Sequence, residues 1–168
     1  TVAALHGTAL GGGFEIAMGC HYRVAILSAE VGLPEVSLGI IPGAGGTQRL
    51  PRHIGVAAAL DVIICGRRLD AHSALSLGAI DAVFDSPLPE AAITFAANLV
   101  ATGQGPRPTS DRTVSDNDNA IAKARKRNSR KYRGFNAPFR AIDAVEKSLT
   151  TSLADGLILE RKLFEGCN

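Results

Sequence analysis

Residues 2–5, VAAL, are an uninterrupted apolar run followed by a break at Gly7, a pattern that predicts a short buried strand. After three consecutive glycines, Gly11 to Gly13, the residues Phe14, Ile16, Ala17 and Met18 leave no clean polar face, which predicts a buried helix. YRVAIL, residues 22–27, predicts a second strand. A stretch punctuated by glycine and proline runs from Gly32 to Gly46, and residues 47–64 then carry a helical periodicity interrupted at Gly55. AHSALSL, 71–77, reads as a short helix closed by Gly78, and AIDAVF, 79–84, as a strand. Pro89 opens a further helix, because proline at a helix start sacrifices no hydrogen bond. Strand, helix, strand in this rhythm predicts a layered α/β fold.

From Thr102 to Asn119 the composition shifts to Gly, Pro, Ser, Asp and Asn, which predicts a long loop or linker. Helical periodicity returns over roughly 118–133, 137–150 and 152–165. The expected organisation is therefore an α/β body over 1–101, a linker over 102–119 and a helical C-terminal region over 120–168. No internal repeat is visible.

The chain has 168 residues, enough to bury a substantial core as one domain, and its 46% apolar and 20% charged residues exclude a disordered or fibrous chain. A formal charge of +2 implies no partner by itself. Cys20, Cys65 and Cys167 are odd in number and lack C-x-x-C spacing, so a reducing compartment is expected and neither a disulfide framework nor a zinc site is suggested. The apolar runs are broken by glycine, proline or charge too early to span a bilayer, so no stable membrane insertion is expected. The chain opens on a core strand and holds a single methionine, Met18; it is expected to be a piece of something longer.

One carboxylate, Glu15, stands in the apolar run that follows the glycines. The residues alone leave two readings open. Either the glycines form a tight turn and Glu15 points at water, or they present backbone N–H groups to a ligand on which Glu15 acts. Glu35 is a second carboxylate in apolar company, following Pro34 in VGLPEVSLGIIPGAGG. Pro34 fixes its own φ and biases Leu33 toward an extended backbone, so the segment is a held turn. Two such groups can share a water and divide acid and base roles, since burial and mutual repulsion raise at least one pKa. Spacing does not place the two side chains together.

The glycines fail the nucleotide motifs. Counted from Gly11 the last position of G-x-G-x-x-G is Ile16, from Gly43 it is Gln48, and Gly7 with Gly12 is followed by Gly13 where a phosphate loop needs lysine. What remains is a set of unhindered amides at a helix N-terminus, suited to an oxyanion. His6, His21, His53 and His72 are scattered and read as structural or surface residues, so no metal is expected. No G-x-S-x-G elbow occurs, and Cys20 reads as core. The basic run KARKRNSRKYR, 123–133, fits a solvated helix face, a phosphorylated small ligand or nucleic acid. The rest of the chain is not basic and shows no base-reading module, which favours the solvated face and argues against nucleic acid. Asp116 and Asp118 are candidate caps for this helix.

AALHGTALGGGFEIAMGCHYRVA, VGLPEVSLGIIPGAGGTQRLPR and GRRLDAHSALSLGAIDAV together resemble the crotonase superfamily, specifically the enoyl-CoA hydratases and the hydratase/isomerase portion of multifunctional fatty-acid β-oxidation enzymes. The resemblance covers about residues 2–101; GCHYRVA and LILERKLFEG look more like the multifunctional members. It implies a partial crotonase-like core followed by helices. Glu15 and Glu35 would be the catalytic pair, Gly12 N one oxyanion donor, and Gly11, Gly13 and Pro34 substrate-binding positions. The implied reaction adds water to a trans-2-enoyl-CoA to give the 3-hydroxyacyl-CoA, with Glu35 handling the α-carbon proton and Glu15 orienting the water. Shifting a double bond from position 3 to position 2 would use Glu35.

No cofactor is implied for hydration, coenzyme A being part of the substrate; NAD belongs to a downstream dehydrogenase part. The other oxyanion donor and several core strands lie upstream of Thr1 in the family, so the missing N-terminal part is an implied partner and this chain alone is expected to be weakly active or inactive. A homo-oligomer is one implied assembly, although multifunctional members use their C-terminal helices in its place. The implied location is cytoplasmic for a bacterial protein and peroxisomal or mitochondrial for a eukaryotic one. The alternatives are another crotonase-type acyl-CoA isomerase, dehalogenase or hydrolase, and, in a different class, a non-catalytic interaction module with a basic helical arm.

Overall fold

A computed structural model describes residues 1–85 and 87–167. Strands β1 (Val2–Leu5) and β2 (Thr8–Leu10) lead into helix α1 (Gly12–Met18), and β3 (Tyr22–Ile26) and β4 (Glu30–Gly32) lead into a 3₁₀ turn at Glu35–Leu38. Then come α2 (Gly46–Ile54), α3 (Val56–Cys65), β5 (Leu69–Asp70), α4 (Ala71–Leu77), β6 (Ala82–Phe84) and α5 (Leu88–Ala101). Three helices follow: α6 (Ala120–Lys131), α7 (Ala137–Lys147) and α8 (Leu153–Glu165). The expected α/β layering followed by helices is present, while β2, β4 and β5 are too short to have shown a periodicity of their own.

The strands form two small sheets. In one, β3 lies between β1 and β6, all parallel, with Val2 opposite Tyr22 and Val24 opposite Ala82. A central parallel strand is covered on both faces, which is why β3 is apolar at nearly every position. In the other sheet β2 runs parallel to β4, with Thr8 opposite Glu30 and Leu10 opposite Gly32, and β5 closes it antiparallel. Two consecutive strand–strand units thus lie side by side, a duplication that the sequence does not display.

Arg23 interrupts the apolar pattern of β3 and is fully buried. Its guanidinium donates to the carbonyls of Ala79 and Cys20, each at 2.9 Å, and to Asp81 at 3.3 Å. Asp81 also accepts from the Arg23 amide at 2.7 Å and pairs with Arg107. A buried charge without such partners would cost several kcal/mol on the order of a broken buried pair. Helix α1 is buried along Phe14, Glu15, Ala17 and Met18, but Ile16 is 75% exposed, so the all-round burial expected for it holds on one side only.

The helical region joins the same core. Ala141, Ile142, Ala144 and Val145 of α7 belong to one apolar cluster with Leu50 of α2 and Leu60 and Ile63 of α3. Helix α6 is capped by Asp116, whose two carboxylate oxygens accept from the amides of Ala120 at 2.6 Å and Ile121 at 3.1 Å. The segment 102–119 is fastened to the body: Tyr22 donates its hydroxyl proton to the Gly105 carbonyl at 2.7 Å, and Arg107 stacks 4.1 Å over the Tyr22 ring. Thr109 is buried and lies 3.2 Å from His53 Nε2.

Removing the buried Ile142 side chain should open a cavity where α7 meets the body. Ile142→Ala is expected to lower unfolding free energy by about 2 to 5 kcal/mol, read from denaturant midpoints. A loss below about 1 kcal/mol would show that the helical region contributes little to the common core.

Candidate active site

The parallel pairing of β2 with β4 decides which residues meet. Both strands end at the same level, and the Gly11 amide donates to the Gly32 carbonyl at 2.9 Å just beyond them. The chain then turns into α1 from one strand and into the Glu35–Leu38 turn from the other, so Glu15 and Glu35 follow equivalent strands of adjacent units. Gly11 has φ of +55°, and a Cβ there would come within 2.9 Å of Glu35 Oε1. Only glycine combines that backbone with so close an approach.

Glu15 does not point at water: it is 3% exposed. Its Oε1 accepts from the amides of Ala44 at 2.9 Å and Gly46 at 2.7 Å. A helix N-terminus carries unpaired N–H groups and partial positive charge, so the start of α2 is a natural seat for a carboxylate. A Cβ at Gly46 would lie 2.8 Å from Glu15 Oε1, which explains the third glycine of GAGGTQ.

Glu35 is half-buried and differently placed. Its Oε2 is buried and has no hydrogen-bond partner in the protein. Burial chiefly pushes its pKa up to about 7, opposed by a bond to its own backbone and reinforced by the charge of Glu15. Gly11, against which Glu35 lies, immediately precedes α1 and its Glu15, so the two carboxylates sit at one end of the β2–β4 pair in unequal environments. Such a division separates an acid from a base. At the start of α1, Gly12 and Gly13 are exposed, and a Cβ on either would meet nothing within 4 Å. As the first helical residues they have no acceptor within the helix for their amides.

A third buried carboxylate escaped the sequence analysis. Glu160 of α8 is 1% exposed; Oε1 accepts from the Gly45 amide at 2.6 Å, and Oε2 from the Thr47 amide at 2.8 Å and hydroxyl at 2.5 Å. The signal was available. Glu160 falls with Leu153, Gly156, Leu157 and Phe164 on one helical stripe of LADGLILERKLFE, and a carboxylate on an otherwise inward stripe calls for an internal partner. Burial pushes its pKa up to about 7, opposed first by the Thr47 hydroxyl and raised further by the charge of Glu15.

His53 is buried against Thr109 and is pushed down to about 3 by burial and then by the charges of Arg23 and Arg112, so it is neutral and structural. Two surface clefts, of about 410 and 290 Å³, are lined by residues such as Tyr22 and Leu99 or Leu60 and Lys123 and contain neither Glu15 nor Glu35. Among the described residues no group of three or more His, Cys, Asp or Glu could hold a metal ion, and no helix is long and apolar enough to cross a membrane. The cations of α6 are partly committed to protein: Arg125 pairs with Asp143 and Glu146, and Arg127 with Asp61.

An α/β core with three parallel strand pairings and a glycine-led glutamate is the crotonase type of fold. The profile described as "Enoyl-CoA hydratase/isomerase" matches residues 1–133, and the chain belongs to that family. It is 45% identical over 166 residues to the peroxisomal bifunctional enzyme of Cavia porcellus, covering 97% of this chain and 23% of that protein. It is 38% identical over 172 residues to the fatty acid oxidation complex subunit alpha of Shewanella loihica, covering 97% and 24%. The crystal structure of the enoyl-CoA hydratase from Bacillus anthracis superposes with a TM-score of 0.53 at 35% identity, over 95% of this chain and 50% of that one. The chain therefore spans about a quarter of the curated relatives and half of the solved one.

The raised carboxyls have a consequence for stability. A group whose folded pKa of about 7 exceeds its ordinary value of 4.5 favours folding most when protonated, so its contribution is complete below about 4.5 and is lost as pH rises through 7. Relative to Glu160→Gln, which cannot ionise, the protein with Glu160 is expected to lose on the order of 2 to 3 kcal/mol between pH 4.5 and pH 8. Parallel stability curves for the two proteins across that window would refute the raised pKa.

Proposed function

We propose that this chain supplies the glutamate pair of an enoyl-CoA hydratase, adding water to a trans-2-enoyl-CoA to give the 3-hydroxyacyl-CoA within fatty-acid β-oxidation. The observation that carries the reading is the asymmetry of the pair. Glu15 is held by two amides on one oxygen, whereas Glu35 Oε2 is buried without a partner and its pKa is raised to about 7. A carboxyl near neutrality can deliver a proton at physiological pH; a fixed, amide-bound carboxylate can orient water.

In the proposed step, water bound by Glu15 Oε2 attacks C3 of the enoyl thioester. The C2–C3 π electrons move toward the thioester carbonyl, whose oxygen gains charge facing the Gly12 amide. Glu35 then delivers its proton to C2 as the carbonyl re-forms, and Glu15 takes the proton lost by the water. Gly11, Gly13 and Pro34 line the approach to the two carboxyls. Substrate positioning supplies the remainder, since bringing water and double bond into contact removes an entropic barrier. The same Glu35, ionised, could take a proton from C2 of a 3-enoyl-CoA and return it at C4, giving the 2-enoyl isomer; Glu15 has no proton to move in that reaction. Membership of a hydratase/isomerase family supports the reading that both reactions use this pair.

In the full-length enzyme carrying this chain, Glu35→Gln should reduce hydration of crotonyl-CoA by at least about 100-fold with acyl-CoA binding retained. Glu15→Gln should suppress hydration by a similar factor and isomerisation less. Loss of enoyl-thioester absorbance and a direct binding measurement give the two readouts. Turnover within a few-fold of the unmodified enzyme after Glu35→Gln would remove that residue from the chemistry.

A further inference from the structure

The four amides that open α2 are shared out in strict alternation. Those of Ala44 and Gly46 donate to Glu15, at 2.9 and 2.7 Å, and those of Gly45 and Thr47 donate to Glu160, at 2.6 and 2.8 Å. Successive N–H groups leave opposite sides of the strip, so it is clamped between a carboxylate from α1 and a carboxylate from α8. Neither can be withdrawn without freeing the strip to rotate.

Glu160 is itself fixed. Thr47 donates its hydroxyl proton to Glu160 Oε2 at 2.5 Å and accepts from Gln48 Nε2 at 3.0 Å, and the same Gln48 nitrogen donates to the Ala144 carbonyl of α7 at 2.7 Å. The chain of bonds therefore runs from α7 through α2 to α8. Glu160 lies on the far side of the strip from Glu15, with both oxygens committed to protein donors. Glu15, by contrast, has only Oε1 committed; among the described residues no protein donor reaches Oε2.

We infer that Glu160 is a positioning residue for the proposed reaction: by holding Gly45 and Thr47 it keeps Ala44 and Gly46 aimed at Glu15 Oε1 and leaves Glu15 Oε2 directed at the water. This inference rests on the reading of Glu15 as the water-orienting carboxylate. Glu160 acts through Glu15 and touches no substrate. Its replacement by glutamine places an amide nitrogen where an acceptor stood, facing either the Gly45 amide or the Thr47 amide, and one clamp contact becomes a donor–donor repulsion. The strip then turns, and Glu15 with it. A misplacement near 1 Å costs about 100-fold in rate when geometry carries catalysis.

The test is a double-mutant cycle in the full-length enzyme, reading kcat and KM for crotonyl-CoA hydration. Glu160→Gln is expected to lower kcat by about 10- to 100-fold with KM changed by less than about 3-fold, because the acyl-CoA contacts are elsewhere. The combined variant E15Q/E160Q should be no slower than E15Q alone, since residues acting as a unit are not additive. Additive losses, or E160Q turning over like the unmodified enzyme while E15Q is inactive, would overturn the role of Glu160. Unimpaired turnover by E15Q would instead overturn the reading of Glu15 on which the role rests. Thr47→Val leaves both backbone amides on Glu160 and serves where E160Q does not fold. That variant removes the hydroxyl's bond to Glu160 and the acceptor it offers Gln48 Nε2; a kcat lowered about 3- to 10-fold supports the clamp, and an unchanged kcat refutes it.

Discussion

The first amides of α2 are the point at which the two halves of this chain are joined. A helix start leaves unpaired N–H groups and a partial positive charge, and here Gly45, Gly46 and Thr47 are buried. Two buried carboxylates accept from these amides, Glu15 from the α/β body and Glu160 from the last helix, the latter 115 residues away along the chain from Gly45. Each partner requires the other: a buried carboxylate without donors is costly, and buried amides without acceptors are costly too. The apolar cluster shared by α2, α3 and α7 packs the helix that begins at this polar junction into the core.

The second constraint is the parallel register of β2 and β4. It puts two successive units in step, so that the turns leaving them deliver Glu15 and Glu35 to one end of the sheet. From there the local surroundings separate two chemically identical side chains. Glu15 sits on amides of α2; Glu35 has a buried oxygen with none. The contrast is one of hydrogen bonding more than of burial, because Glu15 is the more deeply buried of the two. A perturbed titration does not by itself mark such a site. His53 is strongly shifted, yet it lies against Thr109 near Arg23 and Arg112 and serves the packing of the 102–119 segment.

Much of this was legible from residue order. The apolar run VAAL, the glycine triplet, the interruption of 47–64 at Gly55 and the closing Gly78 each correspond to an element boundary in the structure, because strand preference, helix breaking and left-handed caps are properties of a few neighbouring residues, whereas the burial expected of VAAL holds only at Leu5, Ala4 being exposed. The odd carboxylates in apolar company were visible for the same reason. Asp116 as the cap of α6 could be named from its place just ahead of a helical run, although its neighbour Asp118 has no part in the cap.

What tertiary structure decided was which distant groups meet. β2, β4 and β5, of two or three residues each, exist only because they pair, and pairing is a long-range event that carries no local period. Ile16 belongs to an apolar helix yet stays exposed, because no element among the described residues packs over that face. Glu160 carried the same signal as Glu15, a charge on an inward stripe, but its meaning depended on α8 folding back against the start of α2. Local sequence sets the conformations available to each segment; the alternation of four amides between two carboxylates is settled only when the ends of the chain are packed together.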